Sequence, residues 1–537
     1  MRSVSILLLT FFISLPCLSQ QTKEIWVQLL DAETKEPISF ATVLFKGTSR
    51  GVIADYDGQF RLPFVDINNV PDLVVTALGY NDLELSPKTL NPTEINIVEM
   101  LPQAESLDAV ILNVTKNNRQ KALNVSALIK QNKKILGKEI VQKAIDRISE
   151  NLDDKAHSLI GYYRDYQLVS DEYFNLNEGI LEQFDAGITT NKISNVNNRN
   201  AFYSLQTNPE FKKSEQYAKA YDGESKYVEN ADLLAFGGNE LSILNVHNPI
   251  RNYNQNSFSY VYTLNKDFIP NHIFSKEGFV FDEDNPIVNV SFTTLTNTRK
   301  GVQQRVQGSY KPTKLKVSGV ISISLKDYAI HGFNYTMYDF NQRNPLFNVR
   351  IEYKQHDQKM YLNYISFNNR FTVTDDFVFR EEKITYDKES QSFEVLLNND
   401  VESKNIKKRN FKIKLDGKKV IVKSIKVISS KRIQVFINDF DNSLSELFED
   451  DMKNLEFVIK GIKDVGGRSI YKSREVTGYQ FREFFTQEIF KNKDLDTSLK
   501  FAAKGQSLLY APLNVLGDTT PYIVNSPLEK RRMNVQN

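Results

Sequence analysis

Short apolar runs recur at steady spacing through residues 22–101, with turn-forming residues between them. This spacing is typical of strands in a small antiparallel sandwich. The stretch Gly51–Leu62 places Asp55–Gly58 between two apolar segments, and Asp-Gly favours a hairpin turn. The predicted strands are Ile25–Leu30, Ala41–Lys46, the two arms of the Gly51–Leu62 hairpin, Leu73–Ala77, Leu83–Leu85 and Ile95–Met100.

A different period begins at Lys138–Leu152, where apolar residues recur every three or four positions. This pattern predicts an amphipathic helix with one buried face. From residue 158 to about 387 the period changes to two, as in Val317–Leu325. Alternation of this kind favours antiparallel strands with one covered face. We therefore predict a large antiparallel β-rich domain over 138–404, braced by a single helix.

The remaining segments complete a fold that we predict to be mainly β. Residues 102–137 are polar and indicate a linker. Residues 405–476 alternate again, as in Phe411–Leu415, and predict a small sandwich inserted into the larger domain. Residues 477–537 predict a return strand followed by an irregular, proline-containing tail.

The first residues have the pattern of a secretory signal. Arg2 supplies a positive start, Val4–Ile13 is mainly apolar, and Cys17 to Ser19 provides small residues for cleavage after Ser19. We therefore predict a signal peptide over 1–19 and an exported protein of the periplasm or the outer-membrane surface. The alternative, a lipoprotein signal with Cys17 as the lipidated residue, stays open.

Charge and cysteine content narrow the class of protein. The 537 residues include 68 basic and 66 acidic side chains, so no strong field predicts a nucleic-acid partner. Cys17 is the single cysteine, and its removal with the signal leaves a mature chain without any. Extracellular eukaryotic proteins of this size usually carry disulfides, so this absence favours a bacterial envelope.

Several short segments carry a family resemblance. Val27–Asp31, Pro37–Val43, Asp55–Phe60 and Ala77–Tyr80 resemble the carboxypeptidase regulatory-like domain, a transthyretin-like β-sandwich that opens many exported proteins of Bacteroidota. The resemblance covers almost all of residues 22–101. It implies an accessory domain of carboxypeptidases, without their zinc-bearing catalytic domain.

Two further resemblances lie downstream. Gly161–Arg164 and Gln480–Phe485, together with the predicted helix, resemble an uncharacterised region that follows this sandwich in one group of Bacteroidota envelope proteins. The segment Gly461–Gly467 resembles the closing turn of bacterial immunoglobulin-like domains, which implies an Ig-like insert at 405–476. Neither resemblance implies a reaction.

Candidate catalytic motifs are better explained as structure. Gly47–Gly51 matches G-x-S-x-G, but a nucleophile elbow needs a following helix, and a strand is predicted there. Asp55 and Asp57 lack the further oxygen ligands of a calcium loop and indicate a solvated Asx turn. The histidines are not spaced as zinc ligands. They are His157, His247, His272, His331 and His356. We predict no catalytic residue, cofactor or metal site.

The remaining candidate is an aromatic surface. Tyrosines cluster in the predicted strands, where they are able to line a lipid or glycan site or to pack in a core. These are Tyr162, Tyr163, Tyr166, Tyr361 and Tyr364. We hypothesise an envelope binding or scaffolding protein with no catalytic activity of its own, which takes a protein partner, lipid or glycan and associates peripherally with the outer membrane. The alternatives are a hydrolase with a site built from loops around 187–260 and an outer-membrane-inserted β protein.

Overall fold

The structure, a computed structural model, is mainly β, with 51% of residues in strands and 14% in helices. The predicted signal peptide, including Cys17, lies outside the described residues. These are 24–47, 51–55, 57–63, 71–92, 94–102, 127–221, 238–255, 264–282, 285–294, 296–297, 301–306, 309–313, 315–339, 344–374, 377–438, 454–473, 475–516 and 522–527.

The first domain is a sandwich of two sheets. One sheet has the strand order β4-β1-β7 and the other β3-β2-β5-β6. The β1–β7 pair is parallel, whereas the prediction made every pair antiparallel. Alternate residues of β1, including Val27 and Leu29, are fully buried in the core between the sheets. The strands are β1 (Glu24–Asp31), β2 (Thr42–Phe45), β3 (Gly51–Ile53), β4 (Gln59–Pro63), β5 (Leu73–Thr76), β6 (Leu83–Leu85) and β7 (Asn96–Met100).

The predicted hairpin over residues 51–62 is wrong. β3 pairs with β2, and β4 pairs with β1 in the opposite sheet. The turn itself closes as predicted, since the Asp55 N–H donates to the Gln59 carbonyl at 2.8 Å. Asp55 is buried, however, and not solvated as predicted. The Asp-Gly turn is therefore the corner at which the chain crosses between the two sheets.

The second domain is built on a ten-stranded sheet with the order β10-β9-β8-β27-β19-β18-β17-β16-β12-β11. A separate three-stranded sheet has the order β13-β14-β15. The strands of the large sheet are β8 (His157–Val169), β9 (Glu172–Asp185), β10 (Asn200–Thr207), β11 (His272–Asp282), β12 (Asn285–Thr294), β16 (Leu315–Ser324), β17 (Ile330–Asp339), β18 (Pro345–His356), β19 (Lys359–Thr374) and β27 (Glu475–Lys491). Those of the small sheet are β13 (Thr296–Asn297), β14 (Gly301–Val306) and β15 (Ser309–Thr313).

One face of the large sheet is apolar and covered by helices. The cross-strand row Val290, Ile321, Phe333, Ile351 and Ile365 is at most 2% exposed. The predicted helix packs there but breaks at Arg147 into two pieces. The helices are α1 (Gly137–Asp146), α2 (Ile148–Asn151), α3 (Glu215–Tyr221), α4 (Glu240–Val246) and α5 (Ile269–Asn271), with a π-helical turn at Leu264–Phe268 and 3-10 turns at Pro87–Thr89, Ser403–Asn405, Lys408–Asn410 and Leu508–Tyr510.

The chain divides into two compact units. The first contains the two domains described above, and the second, Phe371–Gly478, has its own core. Its two sheets have the orders β20-β21-β25-β24 and β23-β22-β26. The predicted boundary at 405 falls inside this unit, because β21 pairs with β25. The strands are β20 (Glu381–Asp387), β21 (Ser392–Leu397), β22 (Phe411–Leu415), β23 (Lys418–Val420), β24 (Val422–Val427), β25 (Arg432–Ile437) and β26 (Leu455–Ile459).

Two connecting regions differ from the predicted linker and tail. The predicted linker, 102–137, is described only at its ends, and residues 127–132 are helical, with Ile129 buried in the main core. In the tail, residues 522–527 pack against the first two domains, and Ile523 enters the core of the sandwich. Among the described helices, none is long and apolar enough to cross a bilayer.

The second unit is an insertion between neighbouring strands, since β19 enters it and β27 leaves it. Adjacent strands lie about 5 Å apart, so a tight turn is able to join them directly. We expect a chain in which Asn-Gly replaces residues 375–474 to remain soluble, with a β-type circular dichroism spectrum and a cooperative thermal transition. Aggregation or a non-cooperative melt would show that the large sheet needs the inserted unit.

Candidate ligand-binding cleft

A cleft of about 640 Å3 lies between loops of the sandwich and one face of the large sheet. Its volume is within the range of pockets that hold small ligands. The sandwich wall comes from residues 37–42 and 76–82, which include the Phe40 and Tyr80 rings. The sheet wall is mainly polar. Its polar side chains are Asn289, Ser322, His331, Asn334, Arg350, Glu352, Lys354 and Asn363.

Strand register explains why these polar groups face the sandwich. Asn289 pairs with Ser322, Ser322 with Gly332, and Gly332 with Glu352. This row is shifted by one residue from the apolar row on the helix side, and successive side chains in a strand point to opposite faces. The sheet therefore presents an apolar face to the helices and a polar face to the sandwich. The cleft occupies the gap on the polar face.

Glu352 is an acid of the cleft wall whose pKa is raised. Burial raises its pKa to about 7, and Arg350, 3.7 Å away, and the Asn363 amide oppose this only in part. About a quarter of its side-chain surface (24%) is still exposed, so a ligand is able to reach a carboxyl that the cleft walls largely desolvate. Near neutral pH this group can donate or accept a hydrogen bond.

Phe40 anchors the sandwich at the edge of the cleft. Its φ of 65° is unfavourable for an aromatic residue. The ring is 3% exposed, stacks on Tyr364 at a centroid distance of 4.2 Å, and carries the Arg350 guanidinium over it at 4.2 Å. Stacking, cation–π attraction and burial offset the backbone strain. The sandwich wall is thus held in a fixed position against the sheet.

A buried ion pair lies on the same face of the sheet. Arg164 on β8 donates to Glu483 on β27, and the side chains of both are 1% exposed. Tyr364 donates to the other oxygen of Glu483 at 2.7 Å. Asp55, from the sandwich turn, interacts electrostatically with both Arg164 and Glu483. Burial raises the pKa of Asp55 to about 7, since the attraction of Arg164 only partly compensates for desolvation.

The five tyrosines of the predicted aromatic surface are all buried and are at most 3% exposed. Tyr162, Tyr166 and Tyr364 lie on the sandwich side of the sheet, where Tyr162 donates to Glu178 at 2.7 Å. Tyr163 lies on the helix side and donates to Asp165 at 3.0 Å. The rings therefore pack in separate cores and do not form one exposed face.

Tyr361 belongs to a separate buried polar group beside a small cavity of about 40 Å3. It donates to Asp153, and its ring meets His157 edge-on at a centroid distance of 5.2 Å. Arg251 binds both oxygens of Asp185, at 2.9 and 2.7 Å. Such a cavity has room for a few waters but not for a ligand of ordinary size.

The helix side of the central strands carries another buried cation. Arg482 on β27 is fully buried and donates to Glu240 on α4 and to the Tyr221 hydroxyl on α3. Its Nη1 also donates to Asn369 at 2.9 Å. Arg482 and Glu483 thus compensate opposite charges on the two faces of one strand.

Of the candidate histidines, His331 lines the cleft, whereas His157, His247, His272 and His356 do not. Burial lowers the pKa of His247 to about 3 and that of His272 to about 4, so both are neutral packing residues. No group of three or more His, Cys, Asp or Glu suited to a metal occurs among the described residues. The residues that line the cleft include none from 187–260, where the loop-built hydrolase site was hypothesised. Residues 48–50 of the G-x-S-x-G match lie outside the described residues.

The sequence signal that marks this region is charge inside apolar strands. Gly161–Arg164 and Gln480–Phe485, which resemble an uncharacterised region, lie on adjacent strands of the large sheet. Position 161 has no room for a side chain, because an added Cβ would lie 2.1 Å from the Phe485 carbonyl oxygen. Charged residues flanked by aromatics in a buried strand require partners. This requirement is the feature of the sequence that indicates a buried charge cluster on these strands.

Comparison with known proteins identifies one part of the chain. Residues 28–112 match the family model of the CarboxypepD_reg-like domain, a β-sandwich domain of non-catalytic type. This confirms the domain name given to the first sandwich. No curated protein and no solved structure matches the chain.

Asp55 gives a pH test of the sandwich–sheet contact. The folded protein keeps the Asp55 proton up to about pH 7, whereas the unfolded chain loses it near pH 4. The free energy of unfolding should therefore contain a contribution that is present below about pH 4 and falls as the pH rises to about 7. Urea denaturation of Asp55→Asn across this window should lack that contribution, a difference in slope of up to about 1.4 kcal/mol per pH unit.

The control is Glu33→Gln, at an exposed position of the same sandwich. This variant should keep the wild-type slope. Asn at position 55 retains the oxygen that accepts from the Asp57 and Gln59 N–H groups, so the turn is preserved. Parallel curves for wild type and Asp55→Asn would contradict a buried, protonated Asp55.

Proposed function

We propose that the protein is a non-catalytic binding protein and that its cleft holds a polar, polyhydroxylated ligand, a segment of glycan. The observation that carries the proposal is the row of amide, hydroxyl, guanidinium and carboxyl groups on the sheet wall. Adjacent strands hold these groups in register, so they present hydrogen-bonding positions at fixed spacing.

The chemistry of the walls supports a glycan over a lipid chain. A sugar ring offers hydroxyl groups, which both donate and accept, and Asn289, Asn334 and Asn363 do the same. A buried acyl chain would desolvate these amides without replacing their hydrogen bonds to water, which is costly. The Tyr80 ring on the sandwich wall is partly exposed and provides apolar surface for the face of a sugar ring.

The proposal also includes export and peripheral association with a membrane surface of the bacterial envelope. Residues 509–515 support the second part, since four large apolar side chains there are more than half exposed. They are Leu509 at 56%, Tyr510 at 80%, Leu513 at 53% and Val515 at 92%. Exposed apolar side chains grouped in one segment are typical of interaction or membrane-contact sites.

The cleft is tested by binding to an oligosaccharide array that contains peptidoglycan fragments, lipopolysaccharide cores and neutral glucans. We expect a subset to bind, and Asn334→Ala and Glu352→Gln each to weaken binding by at least about tenfold, or roughly 1.4 kcal/mol. Asn197→Ala, at an exposed position outside the cleft, should bind as wild type.

Three results would contradict this function. Equal binding by all three variants would locate the ligand elsewhere. Shortened glycan products that wild type forms and Glu352→Gln does not would make the protein a hydrolase, with Glu352 as its acid. Failure of every glycan to bind would remove the proposed ligand class.

Location is tested by fractionating host cells and sequencing the N-terminus of the mature protein. We expect a chain that starts at Gln20 and partitions between soluble and membrane fractions, with Tyr510→Ser/Val515→Ser shifting it toward the soluble fraction. Tyr471→Ser, at another exposed aromatic position, is the control and should leave the distribution unchanged. A chain retained whole in the cytoplasm would overturn the export proposal.

A further inference from the structure

The strap, defined as residues 522–527, lies at the junction of the sandwich and the large sheet. Ile523, Asn525 and Ser526 are at most 7% exposed. The strap forms no strand, and its hydrogen bonds run largely to side chains of the surrounding domains. An irregular segment that is this well buried is held by specific recognition and not by a continuous backbone ladder.

The groove recognises the backbone of the strap in the way proteins bind extended peptides. The Gln487 amide donates to the Ile523 carbonyl at 2.6 Å and accepts from the Ile523 N–H at 2.9 Å. Arg61 donates to the Val524 carbonyl at 2.9 Å, and Arg164 donates to the Asn525 carbonyl at 2.7 Å. Main-chain bonds of this kind supply affinity for any extended segment.

Side chains of the strap supply the selectivity. Ile523 is part of the apolar core of the sandwich. The Asn525 amide accepts from the Arg61 N–H at 3.2 Å and donates to the Ile53 carbonyl at 2.9 Å. Ser526 donates to Glu178 and accepts from Arg61 at 2.9 Å. A segment that lacks the Asn amide would leave a buried N–H and a buried carbonyl without partners.

We propose that this junction is a peptide-recognition groove specific for an extended Ile-x-Asn-Ser segment, with the strap as its ligand in cis. The groove is composite: Arg61 and Ile53 come from the sandwich, and Arg164, Glu178 and Gln487 from the large sheet. Its occupancy joins the two domains. The same groove accepts an equivalent segment supplied in trans, and it does so whatever ligand the cleft binds.

The test cuts the strap free in the folded, full-length protein. A protease recognition site is inserted after Leu516, next to the exposed Val515, and the protein is cleaved under native conditions. Native mass spectrometry should find the released C-terminal fragment still bound. A fluorescein-labelled peptide of residues 521–528 should then exchange into the groove, which fluorescence polarisation measures. Uncleaved protein should not bind the peptide, because its groove is filled.

Selectivity is measured by comparing the binding of peptide variants and by changing one residue of the groove. A peptide with Asn525→Ala, or a cleaved protein with Gln487→Ala, should bind at least about tenfold more weakly. The control peptide with Val524→Ile should bind as the parent, since it keeps the bonded backbone and an apolar side chain at this partly exposed position. A chain that ends at Leu516, mixed with the labelled peptide, gives the same measurement without cleavage.

Three outcomes would overturn the proposal. One is loss of the fragment after cleavage without rebinding of the peptide, which would mean that covalent attachment holds the strap. Another is equal binding of the Asn525→Ala peptide, which would mean non-specific adhesion. The third is binding to uncleaved protein at the same affinity, which would locate the peptide site elsewhere.

Discussion

The buried guanidinium of Arg164 constrains the arrangement of the first two domains. A cation removed from water is tolerated only with an anion and further hydrogen-bond partners close by. Glu483 on the neighbouring strand supplies the anion, and the strap supplies a carbonyl. Asp55 brings the corner of the sandwich into the same charge cluster. The central strands, the sandwich and the tail thus meet where one charge must be compensated.

The cost of burying polar groups without partners also explains why the cleft remains open. Phe40 and the strap fix the sandwich to the sheet on one side, and the cleft separates the two walls farther along the sheet. Close packing there would remove the remaining water from Arg350, Glu352 and several amides without adding new hydrogen-bond partners, so contact is unfavourable. Ion pairs and aromatic stacking hold the domains together, and the partly exposed polar side chains of the sheet wall keep the remaining gap hydrated.

Much of the fold was predictable from local pattern, because strand periodicity and the period of α1 are properties of contiguous residues. The corner at Asp55 was mistaken for a hairpin, because the turn residues are those of a hairpin and only pairing with β1 and β2 separates the arms. The partners of Arg164 lie 319 and 361 residues away. No local pattern connects them, so the candidate site followed the tyrosines, whose burial depends on the same distant contacts.

The position of β27 has a consequence for how the chain folds. This strand lies between β8 and β19 at the middle of the large sheet, yet it is the last strand in the described sequence. Until it arrives, the sheet consists of two parts that leave the edges of β8 and β19 unpaired. Such edges recruit other strands, and long-range closure is slow. Closure of the large sheet therefore waits for Glu475–Lys491, and until this strand pairs the chain carries two exposed strand edges, which favour aggregation.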